Sequence, residues 1–237
     1  MAITISVIIP TLNEERTIAA TLAHTASLGF EELIVVDGGS TDETPALLES
    51  YRLKTQSSAL SPVHWVTAPP GRARQMNEGA KASHGEILLF LHADTQLPRD
   101  ANTVINRALA DRRMAGGRFD VRFDRPSMWG TIISKTMNWR SRLSGLATGD
   151  QALFVRRPIF EQMGGFADMP LMEDIEFSGR LKQAGATAAL TATVTTSFRR
   201  WEQQGPLRTI LLMWILRFLY WIGISPSHLA KWYKAVR

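Results

Sequence analysis

The segment EILLFLHADTQLP, residues 86–98, changes abruptly from apolar to polar. Residues 86–91 predict a buried β-strand, because a short apolar run bounded by polar residues is typical of a strand covered on both faces. The chain continues directly as His92, Ala93 and Asp94. An imidazole and a carboxylate at the end of a buried strand are typical of a binding or catalytic site.

Strands and helices alternate upstream of this segment. Strands are predicted at 3–9, 33–36 and 63–67, and helices at about 13–28, 45–53 and 72–84. This alternation predicts an α/β fold with a mostly parallel sheet and helices on both faces. Ligands bind such sheets outside the carboxyl ends of the strands. We therefore expect three polar segments that follow strands to converge on one crevice: Pro10-Thr11, Asp37-Gly38 and His92-Ala93-Asp94.

The second half of the chain is less regular. Strands are predicted at 116–123 and 150–155, β-prone stretches at 187–190 and 193–197, and helices at 127–146, 173–185, 207–224 and after 227. No repeat and no linker divides the 237 residues. We therefore predict one domain with two halves, 1–100 and 101–198, and a C-terminal helical segment at 199–237.

Composition excludes several kinds of site. The chain has no cysteine, which rules out disulfides, thiolate zinc sites and cysteine nucleophiles. Its first four residues lack the basic region of a secretory signal, and we expect a cytoplasmic protein. The net charge of +5 is uneven, because seven Lys and Arg residues but one acid, Glu202, lie from Arg199 to the end.

This basic segment also holds four tryptophans, at 201, 214, 221 and 232. Residues 207–224 form an apolar stretch that contains Arg208 and Arg217. A charge at a bilayer centre costs about 2.5–3.5 kcal/mol, which argues against a transmembrane span. Three interpretations stay open: a core helix with a solvated basic rim, a peripheral helix on the inner face of an anionic membrane, or a homodimer contact.

Several residue types in the expected crevice suit a phosphorylated ligand. Asp94 could hold Mg²⁺ or Mn²⁺, which take oxygen ligands, or could cap the following turn. The helix that begins at Arg72 should direct its N-terminus and the donors of Arg72 and Arg74 at phosphate groups. Asp37 could accept hydrogen bonds from a nucleotide base or ribose, or could belong to a plain tight turn.

Six segments resemble, in order, the successive motifs of family 2 glycosyltransferases: SVIIPTLNEE, IVVDGGSTDET, GRARQMNEGAKASHGEILLFLHADT, TGDQALFVRR, GGF and MEDIEFSGRL. The resemblance covers about residues 4–200 and implies the GT-A fold, with a donor half at 1–100 and an acceptor half at 101–198. Within the family, the chain is most similar to small bacterial enzymes assigned to arsenosugar biosynthesis.

The resemblance also implies an activity. It is metal-dependent, inverting transfer from a nucleotide sugar, expected to be a UDP-sugar, to a small-molecule or lipid-linked acceptor. No nucleic-acid partner is expected. Such chemistry needs cations that stabilise a leaving diphosphate and a carboxylate that takes the acceptor proton.

The family's Asp-x-Asp motif corresponds to His92-Ala93-Asp94. By resemblance, Asp94 would bind Mg²⁺ or Mn²⁺ on the donor diphosphate. His92 departs from the family pattern, and it could hydrogen-bond the ribose or join the metal shell. We favour the hydrogen bond because hard cations prefer oxygen ligands.

The other site residues are carried over by position. Donor contacts are implied for the base (Pro10, Thr11, Glu14), the uracil (Asp37) and the diphosphate (Arg72, Asn77, Arg200, Trp201). Asp150 and Gln151 would begin the acceptor pocket, although Asp150 also suits a turn. Asp174 would be the catalytic base, with Glu173 beside it, although acids at a helix start also favour the helix dipole. Packing by Trp201 and a solvated Arg200 is the alternative for that pair.

Two other classes of function stay open. A nucleotidyltransferase would share the α/β plan, but its phosphate loop is typically rich in glycine, whereas residues 10–15 are acidic and lack glycine. An inactive nucleotide-binding or membrane-scaffold protein is favoured by His92 in place of aspartate. The intact Asp94, Glu173 and Asp174 argue against it.

Overall fold

The buried apolar segments of the sequence form the strands of one mixed sheet. A computed structural model describes residues 3–55 and 60–236. The strands are β1 (Ile5–Thr11), β2 (Glu32–Asp37), β3 (Val63–Thr67), β4 (Ile87–Phe90), β5 (Thr95–Gln96), β6 (Met114–Phe123), β7 (Leu153–Arg156) and β8 (Ala186–Thr196). Their order in the sheet is β3-β2-β1-β4-β7-β6-β8-β5. The α/β fold class predicted from the sequence is confirmed.

The sheet is parallel over its first four strands and mixed beyond them. β7 runs antiparallel to both β4 and β6, and β5 runs antiparallel to β8. In the β4–β7 pair, Phe90 lies opposite Leu153. The segment that precedes β7 therefore reaches the edge of the sheet where β4 ends. The antiparallel strand thus brings residues of the second half to the crevice of the first.

Helices cover both faces of the sheet. They are α1 (Ile18–Ala26), α2 (Thr44–Thr55), α3 (Arg72–Ala82), α4 (Ala101–Ala108), α5 (Met128–Ser144), α6 (Arg157–Gln162), α7 (Glu173–Ala184), α8 (Arg199–Gln204), α9 (Pro206–Trp221) and α10 (Pro226–Val236). One apolar cluster joins the sheet to α1, α2 and α4, and a second joins it to α3, α6 and α7. The interior is therefore two layers of side chains with the sheet between them.

The first loop is longer than the sequence predicts. The helix expected from residue 13 begins at Ile18, and β1 continues through Pro10 to Thr11. Asn13 has a φ of 55°, and its Oδ1 accepts a hydrogen bond from the Thr41 backbone, while Ser40 Oγ accepts one from the Asn13 backbone. These bonds tie the loop to the one after β2, and the helix cannot start until they end.

Two other predictions differ from the structure in their boundaries. Asp150 was expected in a strand but lies in a single 3₁₀ turn, Gly149–Gln151, and β7 begins only at Leu153. The two β-prone stretches near the end are one strand, β8, whose register against β6 shifts twice. Short elements were also missed by the sequence pattern, namely α4, α6, α8 and β5.

The C-terminal helices pack on the start of α7. A third apolar cluster is formed by Met172, Leu216 and Leu229, which come from the turn before α7, from α9 and from α10. Across residues 3–55 and 60–236, the helices are all too short or too polar to cross a bilayer. Residue 237, the end of the predicted basic segment, lies outside the described residues.

Candidate active site

The carboxyl ends of β1 and β4 border a crevice, and the end of β2 lies beside the end of β1. The parallel register sets Thr11 beside Asp37 and Asp37 beside Thr67. The crevice is lined by Pro10, Arg72, His92, Gly149, Glu173 and Asp174, above an apolar floor that includes Phe90 and Phe166. Residues from both halves of the chain therefore share one concave site.

His92 is paired with an acid of the second half. Its Nδ1 lies 3.2 Å from Oδ1 of Asp150. Its Nε2 is buried and has no hydrogen-bond partner among residues 3–55 and 60–236, and a Cβ added to Gly149 would lie 2.3 Å from it. Gly149 is therefore required by space rather than by backbone conformation, because any side chain there would displace the imidazole.

The charge of Asp150 is stabilised by its surroundings. Burial alone would raise its pKa, but the hydrogen bond from His92 and the charges of His92, Arg72 and Arg200 lower the pKa to about 2. Asp150 is therefore an anion at neutral pH. The histidine that departs from the family pattern has a carboxylate partner on the opposite side of the crevice.

The acidic pair at the start of α7 divides into two environments. Glu173 is buried, and its Oε1 accepts a hydrogen bond from Arg72 Nη1 at 3.2 Å. Burial raises the pKa of Glu173, the charge of Arg72 opposes this, and the charge of Asp174 adds to it. Asp174 is half-buried and accepts hydrogen bonds from the backbone N–H groups of Gly149 and Ile175, at 2.8 and 2.7 Å.

Three non-glycine residues have positive φ within residues 3–55 and 60–236, and all three flank this site. They are Asn13 in the first loop, Ala152 after the 3₁₀ turn and Met172 directly before Glu173, with φ values of 55°, 47° and 70°. Such backbone is uncommon outside glycine and costs about 1–3 kcal/mol. The surrounding contacts must therefore hold these turns in place.

Asp94 lies close enough to Glu14 for the two charges to interact. The Asp94 carboxylate is half-buried, and Thr95 Oγ1 donates to it over a long distance of 3.3 Å. Burial raises the pKa of Glu14. The charge of Asp94 also raises it, whereas the hydrogen bond from Thr17 lowers it. Arg199 Nη2 lies 3.7 Å from Glu14 Oε2 and brings the C-terminal segment to the same side.

Arg200 and Trp201 separate in the structure. Arg200 is close enough to Asp150 for its charge to lower the pKa of that acid, and its guanidinium lies 4.9 Å from the Tyr233 ring centroid. Trp201 packs edge-on against Phe123, with the ring centroids 5.9 Å apart. The arginine therefore faces the site, whereas the tryptophan has the packing role that was its alternative.

Four residues expected at the site have their polar groups bound within the protein. Gln151 is fully buried and caps its own turn, so it does not line the acceptor pocket as predicted. Thr11 is buried, and its hydroxyl donates to the Ile9 carbonyl. The Asp37 carboxylate accepts from Ser40 and Gly39 of its own loop. Asn77 donates to and accepts from the backbone of Phe166.

Sequence reasoning missed two arginines near Asp174. Burial lowers the pKa of Arg217 in α9. The charges of Asp174 and Asp150 partly oppose this effect, so both acids lie close to Arg217. Arg140 in α5 is near Asp174 and Arg217. Arg217 could have been found from the sequence, because a charged side chain in the middle of an apolar helix is costly to bury unless it has a partner or a function.

Comparison with known proteins agrees with this geometry. A family profile described as glycosyl transferase family 2 matches residues 6–164. "Probable glycosyltransferase YdaM" of Bacillus subtilis (strain 168) is 27% identical over 224 residues, which are 84% of this chain and 50% of that protein. "Glucosyl-3-phosphoglycerate synthase" of Mycobacterium tuberculosis (strain ATCC 25618 / H37Rv) is 35% identical over 96 residues, 38% of this chain and 29% of that one. The chain thus spans half or less of the length of these relatives.

Solved structures share the fold. S. aureus TarS 1–349 in complex with UDP-GlcNAc aligns with a TM-score of 0.66 and 20% identity over 82% of this chain and 58% of that one. The mannosyltransferase PcManGT from Pyrobaculum calidifontis, in complex with GDP-Man and Mn²⁺, aligns with a TM-score of 0.68 and 21% identity over 96% of this chain and 67% of that one. Because the family match covers most of the chain and the fold agrees with it, we conclude that the chain belongs to glycosyl transferase family 2 and has the GT-A fold.

Proposed function

We propose that the protein is a metal-dependent, inverting glycosyltransferase that uses a nucleotide sugar, with UDP-sugars as the first donors to test. The observation that carries the proposal is the crevice itself, where His92 at the end of β4 shares one lining with Glu173, Asp174 and Arg72. Structural neighbours bound to UDP-GlcNAc and GDP-Man support a nucleotide-sugar donor. The relatives named above do not include an arsenosugar enzyme, and that resemblance stays a prediction.

Each proposed role follows from position and charge. Arg72, Arg199 and Arg200 supply positive charge for the leaving diphosphate. Asp174 lines the crevice and would remove the acceptor proton, because a carboxylate within hydrogen-bond reach can act as a general base. Glu173 anchors Arg72 through their 3.2 Å contact. His92 is proposed to orient the donor while its ring is held by Asp150.

The residues present fit a divalent metal that arrives with the donor. No group of three or more acids or histidines suited to a metal occurs within residues 3–55 and 60–236. Mg²⁺ is nevertheless commonly held by one or two carboxylates together with substrate phosphates. Asp94, with a weakly engaged carboxylate beside Glu14, provides such a partial oxygen set. Mg²⁺ or Mn²⁺ held there would neutralise charge on the diphosphate.

A thermal-shift screen tests the proposal. UDP, GDP, CDP and TDP are each added with and without Mn²⁺. One diphosphate should stabilise the protein in the presence of metal, because a ligand at 100 times its dissociation constant adds about 2.7 kcal/mol to the free energy of unfolding.

Two results would contradict this proposal. The absence of a shift with every nucleotide would favour the inactive scaffold. Release of pyrophosphate from a nucleoside triphosphate would favour a nucleotidyltransferase. Both assays run on the same wild-type preparation, so the outcomes are directly comparable.

We also propose that the protein binds the surface of an anionic membrane through α9. One face of α9 exposes apolar side chains, namely Leu207, Leu211, Trp214, Ile215, Phe218 and Trp221. The most exposed of them is Trp221, at 81%. The neighbouring α5 exposes Met128, Ile132, Trp139 and Leu143. The sequences of α5, α9 and α10 contain no acidic residue. Exposed apolar side chains bordered by basic residues such as Arg208 favour an anionic bilayer, whereas a second copy of this surface would bring the basic borders together.

Vesicle co-sedimentation tests the membrane proposal. Wild type should bind vesicles that contain phosphatidylglycerol at low salt, and Trp214→Ser/Trp221→Ser should bind at least tenfold less, because two exposed indoles no longer leave water. Leu53→Ser, an exposed leucine on α2, is the matched control and should bind normally. No binding by wild type would sink the idea. A dimer in gel filtration that the double variant dissociates would assign the face to a homodimer.

A further inference from the structure

Three arginines of the second half gather beside Asp174, and the proposed chemistry does not use them. They are Arg118 in β6, Arg140 in α5 and Arg217 in α9. Arg140 is close enough to the other two, and to Asp174, for all three charges to act on its pKa. Arg217 is similarly close to Asp174 and Asp150. The arginines therefore form one cluster near the proposed base.

The cluster has hydrogen-bond donors with nothing to bind. Among the residues that the structure describes, Arg140 Nε and Nη2 and Arg118 Nη2 are buried without a partner. The side chain of Arg118 is only 6% exposed. A buried donor without an acceptor is costly, and a buried unpaired charge is more so. Such groups need an explanation, and an anion bound between the arginines would provide one.

The nearby acids do not neutralise the cluster. Asp120 contacts Arg118 at 3.1 Å, but its other oxygen is taken by Arg142 at 2.7 Å. Burial and the charge of Arg217 lower the pKa of Arg140 to about 10. Within residues 3–55 and 60–236, neither Arg140 nor Arg217 forms an ion pair. The local excess of positive charge therefore calls for an anion from outside the chain.

We infer that the acceptor carries a phosphate or phosphodiester group and that Arg118, Arg140 and Arg217 bind it. Guanidinium groups match a tetrahedral oxyanion because they donate in pairs, and several can surround one phosphate. The donor diphosphate has its own proposed cations, Arg72, Arg199 and Arg200, of which Arg72 pairs with Glu173 and Arg199 lies near Glu14. The inference rests on the proposed function, since it names the acceptor of that same site.

Inorganic phosphate is the probe for this site. It is titrated by calorimetry into protein saturated with Mn²⁺ and the nucleoside diphosphate that the screen selects. Wild type should bind phosphate, and Arg140→Gln and Arg217→Gln should each bind it at least tenfold more weakly. Lys135→Gln on α5 and Arg208→Gln on α9 are exposed charge changes on the same helices and should bind normally. Arg140→Lys should recover part of the affinity.

The thermal midpoint without phosphate separates binding from a structural role. If Arg140 binds a ligand, its unpaired buried charge destabilises the protein when the ligand is absent. Arg140→Gln should therefore unfold at the same temperature as wild type or at a higher one. A structural Arg140 would show a lower midpoint instead, and that result would overturn the inference. Equal phosphate affinity in all variants, or no binding by wild type, would also overturn it.

Measuring phosphate binding with and without nucleotide distinguishes the phosphate-acceptor inference from the proposed glycosyltransferase function. If phosphate binding disappears when the nucleotide is present, the cluster belongs to the donor and the acceptor assignment is wrong. If no nucleotide binds but phosphate binds through Arg140, the anion site stands and the acceptor assignment fails together with the proposed function. Competition by glycerol 3-phosphate against vesicles of phosphatidic acid then distinguishes a soluble phosphorylated acceptor from a lipid phosphate, and either result supports the inference.

Discussion

Asp174→Asn is expected to abolish sugar transfer while nucleotide binding stays intact. Asparagine keeps the shape of the side chain and an oxygen that can accept from the Gly149 backbone, but it cannot take a proton from the acceptor. The loss of a general base lowers the rate by roughly 10²–10⁴-fold. The rate is measured as release of nucleoside diphosphate from the donor that the screen identifies, and binding as the thermal shift with that nucleotide.

The control for Asp174→Asn is the same change at Asp168. That carboxylate is 61% exposed and pairs with Arg74 outside the lining of the crevice. Asp168→Asn should therefore transfer sugar at the normal rate. If Asp174→Asn also transferred normally, another group would have to be the base, and Glu173, whose pKa is raised by burial, would be the next to test.

Asp94→Ala is expected to lose the metal-dependent part of nucleotide binding. The carboxylate has few competing contacts in the structure, and its removal should leave the diphosphate without the oxygen ligand that joins the metal to the protein. The thermal shift of about 2.7 kcal/mol that saturating nucleotide and Mn²⁺ produce should fall to the shift seen without metal. A titration of Mn²⁺ at fixed nucleotide measures this directly.

Asp100→Ala is the matched change for this second prediction. Asp100 is an exposed acid six residues after Asp94, directly before α4. It should bind metal and nucleotide as wild type does. A full metal-dependent shift in Asp94→Ala would show that the metal, if one is used, is held elsewhere, and the assignment by motif would be wrong.

The first half of the fold could be predicted because its information is local. Buried parallel strands are short apolar runs, and each ends at a proline, glycine or acid that the sequence displays. The same pattern places Pro10, Asp37 and His92 at one edge of the sheet, and the structure confirms this placement. The start of α7 at Glu173 was also predictable, because acids cluster in its first turn.

The parts that were missed depend on contacts between distant residues. The loop at 12–17 stays non-helical because it is bonded to residues 40–44, which local propensity cannot reveal. The pairing of His92 with Asp150 requires β7 to run antiparallel to β4, and the sequence does not encode strand direction. The arginine cluster draws on β6, α5 and α9, and three isolated positive charges in a sequence look like surface residues until the fold assembles them.

The turn at Met172 connects the position of Glu173 and Asp174 to the packing of α9 and α10. This residue holds a left-handed backbone directly before the acidic pair, and it is clamped by Leu216 and Leu229 of the last two helices. The family match ends at residue 164, so the clamp lies beyond the region that defines the family. A substitution that loosens it would release the turn and misplace Glu173 and Asp174 while the sheet stayed intact. Such a variant would fold but fail to transfer sugar, although every motif residue would still be present.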